Sequence, residues 1–430
     1  MTSLKDWLNI LEQRHPKSID LGLERCGEVY RRMGRPRPAR HIYTVAGTNG
    51  KGSTVAYLAA LNGAAGLKVG TYTSPHILRF NERVTISGTV AEDELFIQAF
   101  EQVENARGDV SLTYFEFTTL AAFFMLSRAS LDCAVLEVGL GGRLDTVNLV
   151  DTDCAVITPI GLDHQNFLGN DLQSIAAEKA GIIRQNTPLV CTEISPPAAV
   201  MQRAAECRSQ TYLRGRDYDL KLETSGLIFL NSVQEVKLSE LSMGGEHQQD
   251  NLAAALQAFS LFNPLDPVLI TKAIADCRLA GRLQLINEQP LILVDVGHNE
   301  LAAKAVAVYL QSRPASRTTC ILGMLKDKTA ELVVKALQSS VNQWICVGTA
   351  GDRGQTGKDL FERINPLLDE PGTLVFDSVA EAMNDILHDF PADETILIFG
   401  SFSLVEETSR WHTNHMQHQG LVADRITSGT

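Results

Sequence analysis

Val45-Ala-Gly-Thr-Asn-Gly-Lys-Gly-Ser-Thr54 is the stretch that decides how this chain is read. It ends an apolar strand pattern, Ile42–Ala46, and opens a helical one, Thr54–Ala64. Glycines at such a junction let successive backbone N–H groups curve around phosphate oxygens, and the helix N-terminus adds positive potential. Lys51 is spaced to reach β- and γ-phosphates, and the Ser53 or Thr54 hydroxyl to approach Mg²⁺. The stretch departs from G-x-x-x-x-G-K-[ST] twice: Val45 stands where the first glycine is expected, and Gly52 separates Lys51 from Ser53. A bare glycine turn is the alternative, but the strand–loop–helix context favours nucleotide binding.

Outward from the loop, short Val/Ile-rich runs alternate with helical patterns. Strands are predicted at Val69–Thr73, Cys133–Val138, Cys154–Thr158 and Leu189–Thr192, and helices at Glu92–Ala106, Phe117–Ser127, Leu172–Ile183 and Ala198–Cys207. This alternation predicts an α/β fold with a mostly parallel sheet covered on both faces. From Tyr218 to Leu238 short alternating segments predict a small antiparallel patch, and a helix follows from His247 to Leu261. Leu279-Ala-Gly-Arg-Leu283 reads as a hinge, after which strands recur near Leu291–Val296, Thr319–Leu322, Trp344–Val347, Thr373–Phe376 and Thr395–Phe399. Two α/β domains are expected, residues 1–283 and 284–430.

Composition bounds the function. The 430 residues contain 38 Lys plus Arg against 51 Asp plus Glu, a net charge of −13. That balance argues against coating a nucleic acid, which needs Lys and Arg to neutralise phosphates. There is no signal-peptide pattern and no run near the ~20 apolar residues that span a bilayer. The eight cysteines form no C-x-x-C pair, as expected of idle thiols in a reducing cytoplasm.

Polar clusters fall at predicted strand ends, where open α/β sheets bind ligands. They are Thr73-Ser-Pro-His-Ile77, Leu136-Glu-Val-Gly-Leu-Gly-Gly-Arg-Leu-Asp145 and Ile160-Gly-Leu-Asp-His164; Ala177-Glu-Lys-Ala-Gly181 lies in the next helix. Mg²⁺ prefers hard oxygen ligands, so Glu137 is the best candidate, with an ion pair to a cation such as Arg143 as the alternative. Ser74 is a plausible neutral ligand. His164 reads equally as a ligand or as a cap. Lys179, a donor-only cation, reads on chemistry alone as an ordinary helix-surface lysine. Tyr114, Phe115 and Phe117 offer faces for a flat heterocycle or belong to the core.

Together these segments resemble the bacterial folylpolyglutamate synthase family, relatives of the Mur ligases. The resemblance is carried by Asp20-Leu-Gly-Leu-Glu-Arg25, Gly47-Thr-Asn-Gly-Lys-Gly-Ser53, Thr73-Ser-Pro-His76, Leu112-Thr-Tyr-Phe-Glu-Phe117, the Leu136–Asp145 stretch, Leu162-Asp-His164, Glu178-Lys-Ala-Gly-Ile182, Gly281-Arg282 and Asp295-Val-Gly-His-Asn299, in order along nearly the whole chain. It implies a P-loop Mur-ligase-like central domain carrying a pterin pocket. A smaller Rossmann-like α/β domain would bind glutamate and close over ATP. ATP would be held by Gly47, Thr48, Asn49, Gly50, Lys51, Gly52 and Ser53, with Asn251, Arg282 and Asp295 completing the site. Mg²⁺ would be bound by Ser74, Glu137, His164 and a carbamylated Lys179. The pterin-bearing substrate would lie against Asp20, Leu21, Gly22 and Leu23, against Thr113, Tyr114, Phe115 and Glu116, and against Leu144, Asp145 and Thr146. Lys51, Lys179 and His298 would act in catalysis, His298 by orienting or deprotonating an amine or merely by forming a turn.

The implied reaction is ATP-dependent ligation of L-glutamate to dihydropteroate and to reduced folates through an acyl phosphate, by a cytoplasmic monomer. The alternatives are extension of folates alone, a Mur-type ligase acting on a cell-wall precursor, and a nucleotide switch. Gly52, the substrate segments and the short stretch before the loop strand speak against the Mur-type ligase.

Overall fold

The strand that leads into the phosphate loop, β1 (His41–Ala46), lies inside a sheet, flanked by parallel neighbours on both sides. The computed structural model describes residues 2–15, 17, 19–223, 226–238, 244–313, 315–368 and 372–427, with side chains outside the description at 389 and 416–427. Met1, residues 224–225 of the expected antiparallel patch and residues 428–430 of the expected second domain lie outside the described residues. The chain divides into two compact units, Met1–Ser242 with His247–Arg278, and Met243–Glu246 with Leu279–Thr430.

In the first unit the sheet has eight strands: β1, β2 (Val69–Tyr72), β3 (Val84–Ile86), β4 (Thr89–Val90), β5 (Cys133–Glu137), β6 (Cys154–Ile157), β7 (Leu189–Cys191) and β8 (Thr211–Leu213). Their order is β4-β3-β2-β5-β1-β6-β7-β8. All pairings are parallel except those of the small β3–β4 edge hairpin. β2, β5, β6 and β7 are buried along their whole length, as expected for strands covered on both faces. Register sets the site: Val45 pairs with Glu137 and Tyr72 with Leu136. The Glu137 carboxylate therefore leaves the sheet at the level where β1 gives way to the loop, and Ser74 follows β2 on the other side.

β9 (Tyr218–Glu223), β10 (Gly226–Asn231) and β11 (Glu235–Leu238) form the antiparallel patch. The second unit holds β12 (Gln284–Glu288), β13 (Leu291–Asp295), β14 (Thr318–Leu322), β15 (Gln343–Val347), β16 (Leu374–Phe376) and β17 (Thr395–Phe399) in the order β12-β13-β17-β14-β15-β16. It is parallel apart from β12, an edge strand that sequence patterning does not foresee.

Two helices start earlier than periodicity predicts, for local reasons. The helix Lys51–Ala64 begins three residues before Thr54 because Gly50 turns the chain at φ 84°. Polar Lys51 and Gly52 then occupy the first turn, hiding it from an apolar pattern. The helix Tyr114–Arg128 begins three residues before Phe117 because Thr113 and Glu116 form a reciprocal capping box. The helix Leu172–Ala180 ends at Gly181 instead of continuing to Ile183. No described helix is long and apolar enough to cross a membrane.

Candidate active site

The loop between β1 and the helix Lys51–Ala64 is laced to the end of β6. Thr48 N donates to Pro159 O at 2.8 Å, Thr48 Oγ1 to Gly161 O at 3.0 Å, and Thr158 Oγ1 to Asn49 O at 2.6 Å. Two glycines are required by close approach. A Cβ on Gly47 would lie 1.8 Å from Thr158 Oγ1, and one on Gly50 2.2 Å from Asn251 Oδ1. Asn251, distant in sequence, thus backs the loop, held by Nδ2 donating to Gln248 Oε1 at 3.2 Å. Lys51 Nζ folds over the loop, donating to Gly47 O at 3.1 Å and Thr48 O at 3.2 Å. Ser53 Oγ, Thr54 Oγ1 and Asn251 Oδ1 are buried without a hydrogen-bond partner. Buried polar atoms are rarely left so, and at a helix N-terminus lacking a side-chain cap they form a receptive cradle.

Glu137 is 5% exposed, and its Oε2 accepts Ser74 N at 3.2 Å, so the two candidate metal ligands are adjacent. Arg143, the alternative partner for Glu137, pairs instead with Glu178 at 2.7 Å. Lys179 corrects the surface reading: it is 3% exposed, and Nζ donates to Gly47 O at 2.9 Å. Burial, and next the charge of Lys51, push its pKa down to about 7. The Gly-Leu-Gly-Gly-Arg turn explains how a lysine comes to lie there. A Cβ on Gly142 would lie 2.7 Å from Glu178 O, and one on Gly181 2.3 Å from Arg143 Cβ. The turn and the helix end interlock only as glycines, and that contact drives Lys179 inward.

His164 takes φ 51° and starts the short helix Gln165–Leu168, its Nε2 3.9 Å from Asp163 Oδ2. The described residues include no preformed group of three or more His, Cys, Asp or Glu side chains able to hold a metal. A cation here would rely on Glu137, His164 and neutral oxygens from Ser74, Ser53 or Thr54. That mixed oxygen–nitrogen set fits Mg²⁺, which retains several waters.

Two of the three candidate substrate segments meet through Arg25, a residue absent from the candidate set, and the third touches its neighbour Cys26. Arg25 pairs with Asp20 at 2.6 Å and with Glu116 at 3.0 Å, and Glu116 accepts Thr113 N at 2.7 Å. Thr146 Oγ1 donates to Cys26 Sγ at 3.8 Å. Leu21 and Leu23 pack on the core, and Gly22, at φ 155°, has open space beside it. Asp145 is buried and accepts Leu140 N and Val147 N, both at 2.8 Å; burial raises its pKa to about 6. Leu144 sits in the same turn. Of the aromatics, Phe117 belongs to the core and Phe115 fills the space beside Gly139. Tyr114 remains half-buried, its ring 5.6 Å from Arg83 Cζ.

In the second unit Arg282, Asp295 and His298 gather at the carboxyl end of β13. Asp295 accepts Leu283 N at 2.8 Å and Gly297 N at 2.7 Å, bracing the turn that holds Arg282. Arg282 Cζ lies 5.7 Å from the Phe402 ring, and the His298 ring 6.4 Å from it. His298 Nδ1 is 3.0 Å from Val296 O, a turn-forming contact.

The Mur ligase middle domain matches residues 45–259, and the Mur ligase glutamate ligase domain matches residues 281–402. The dihydrofolate synthase/folylpolyglutamate synthase of Escherichia coli is 39% identical over 403 residues, 94% of each chain. Among solved structures, the E. coli enzyme in complex with DHPP and ADP superposes with a TM-score of 0.91 at 38% identity, covering 96% of this chain and 98% of that one. A bifunctional folylpolyglutamate synthase/dihydrofolate synthase with Mn, AMPPNP and L-glutamate bound gives 0.87 at 37% identity, covering 95% and 97%.

Proposed function

The chain belongs to the dihydrofolate synthase/folylpolyglutamate synthase family of Mur ligases, and from that premise we propose how its own residues carry the reaction. The function is ATP-dependent ligation of L-glutamate to 7,8-dihydropteroate, forming dihydrofolate, and to tetrahydrofolates, lengthening their glutamate chain. ATP and a divalent cation take part. The observation that carries the residue-level reading is the junction at Gly47, whose carbonyl oxygen accepts from both Lys51 Nζ and Lys179 Nζ.

A carboxylate acylates poorly because oxide would have to leave. Transfer of the ATP γ-phosphoryl group gives an acyl phosphate; the glutamate amine attacks its carbonyl carbon, and phosphate departs. Two anions must therefore meet, and the chain supplies the charges that permit it. Loop N–H groups between Asn49 and Ser53 hold the phosphates, Thr48 N–H being engaged by Pro159 O, and Lys51 swings from its own loop carbonyls to the γ-phosphate. Ser74, Glu137 and His164 hold Mg²⁺. When bound, the cation screens phosphate charge and polarises the γ-phosphoryl group.

Lys179 belongs to this set as a carbamate. A carbamate forms when a neutral amine attacks CO₂, and an amine buried beside Lys51 is readily neutral. The product is an oxygen-donor anion on the side of the loop where Lys179 now touches Gly47. Asp20 to Leu23, Thr113 to Glu116 and Leu144 to Thr146 frame the pterin-bearing substrate. Asp20, Thr113, Glu116 and Asp145 do so chiefly by holding their segments in place. Asn251, Arg282 and Asp295 serve the nucleotide, His298 the incoming amine, and residues 284–430 bind glutamate.

The test is product analysis with ATP, Mg²⁺ and glutamate, offering dihydropteroate and a reduced folate separately. Glutamylated product is expected from both. ATP hydrolysis that proceeds equally without glutamate would overturn the reading.

A further inference from the structure

Arg83 is a buried cation that the reaction described above does not use. Its side chain is 8% exposed, yet among the described residues it forms no ion pair. Nε donates to His76 Nδ1 at 3.0 Å, and Cζ lies 5.4 Å from the Phe80 ring and 5.6 Å from the Tyr114 ring. These contacts fix the plane of the guanidinium without supplying a counter-anion, and its two Nη groups donate to no described atom. Other half-buried arginines are paired: Arg25 with Glu116, Arg184 with Asp151, Arg363 with Glu331. A guanidinium cannot shed its proton, and a buried charge without a partner is costly. An anionic ligand would remove that cost.

Position identifies the anion. Arg83 immediately precedes β3, and the order β3-β2-β5-β1 puts three strand spacings, roughly 14 Å, between it and the phosphate loop. That is farther than an arginine side chain extends, so the loop phosphates are not its ligand. Thr73 N donates to Arg83 O at 2.9 Å, which sets Arg83 beside Ser74, and Tyr114 opens the helix whose first turn belongs to the substrate segments. The guanidinium thus stands between the metal-side pair, Ser74 and Glu137, and the pterin side. The acid that must occupy this ground is the one to be activated.

We propose that Arg83 is a substrate-binding residue that grips the carboxylate of the pteroyl or folyl substrate through its Nη groups, with the Phe80 and Tyr114 rings holding the guanidinium in plane. The assignment rests on the ligase reading. It adds to that reading a group that selects an acid over its uncharged analogue and aims it at the phosphoryl donor.

The experiment compares binding of dihydropteroate with that of its carboxamide, in the full chain with ADP and Mg²⁺ present. Wild type is expected to prefer the acid by about 10- to 100-fold, the size of one charge-assisted contact. Arg83→Met is expected to bind the two alike while its ADP affinity stays at the wild-type value, which also reports that the fold is intact. Arg83→Gln, polar and of similar reach, must show the same loss and serves if the first variant does not fold. Acid preference retained in either folded variant overturns the assignment alone. Failure of wild type to bind dihydropteroate overturns the ligase reading with it.

Discussion

Lys179 Nζ donates to the carbonyl oxygen of Gly47 at 2.9 Å, across 132 residues of sequence. The contact ties the phosphate loop to the helix Leu172–Ala180 and places a primary amine, kept from water, beside Lys51.

Lys179→Ala is expected to lower ligase activity by at least about 100-fold, as loss of a metal-site group does, with partial recovery in millimolar formate or acetate. Wild type exchanged into ¹³C-bicarbonate should show a carbamate carbon resonance that Lys179→Ala lacks. Absence of that resonance, together with no recovery by small carboxylates, would remove the carbamate from the mechanism.

Gly50→Ala forces a positive φ on a residue with a Cβ and drives that Cβ into Asn251 Oδ1. The expected loss is about 1–3 kcal/mol of stability, with ADP affinity down at least about tenfold. Adding Asn251→Ala should relieve the clash but leave the backbone strain, about 1 kcal/mol. Thermal unfolding of the single and double variants reads the two contributions separately.

Ser53 Oγ is buried and has no partner, so in the free protein it carries a desolvation cost. Ser53→Ala should raise stability by about 1 kcal/mol while lowering Mg²⁺-dependent turnover by about 10- to 100-fold. A variant that loses stability would show that the hydroxyl serves the fold and not the ligands.

Removing the guanidinium from Arg25 separates Asp20 from Glu116 and leaves Glu116, 3% exposed, without its cation. Because Arg25 itself is one-third exposed, the stability loss from Arg25→Met is expected to be moderate, about 1–3 kcal/mol. KM for dihydropteroate should rise with KM for ATP unchanged. Equal rises in both would mean that the link supports the whole unit and not the pterin side.

Much of the site is written locally. Glycines and a lysine between a strand and a helix mean a phosphate loop wherever they fold, because the N–H groups that hold phosphate come from consecutive residues. Thr113 and Glu116 illustrate the limit of such reading. Their spacing is that of a capping box, so part of what marks them is helix initiation. The short strands β3, β8 and β12 escape periodicity because three to five residues at a sheet edge or next to it need no sustained alternation.

By itself the amino-acid sequence determined the α/β alternation, the phosphate loop and the placement of Ser74 and Glu137 at strand ends, since these follow from backbone periodicity and nearest neighbours. Only the tertiary structure decided that Lys179 is buried, that Arg143 belongs to Glu178 and not Glu137, that Arg25 joins two of the substrate segments and that Arg83 forms no ion pair among the described residues. Burial and Coulomb energy depend on distances through space. Around Lys179 those distances are set by close contacts at two glycines, Gly142 against the Glu178 carbonyl and Gly181 against Arg143, which no local pattern reveals.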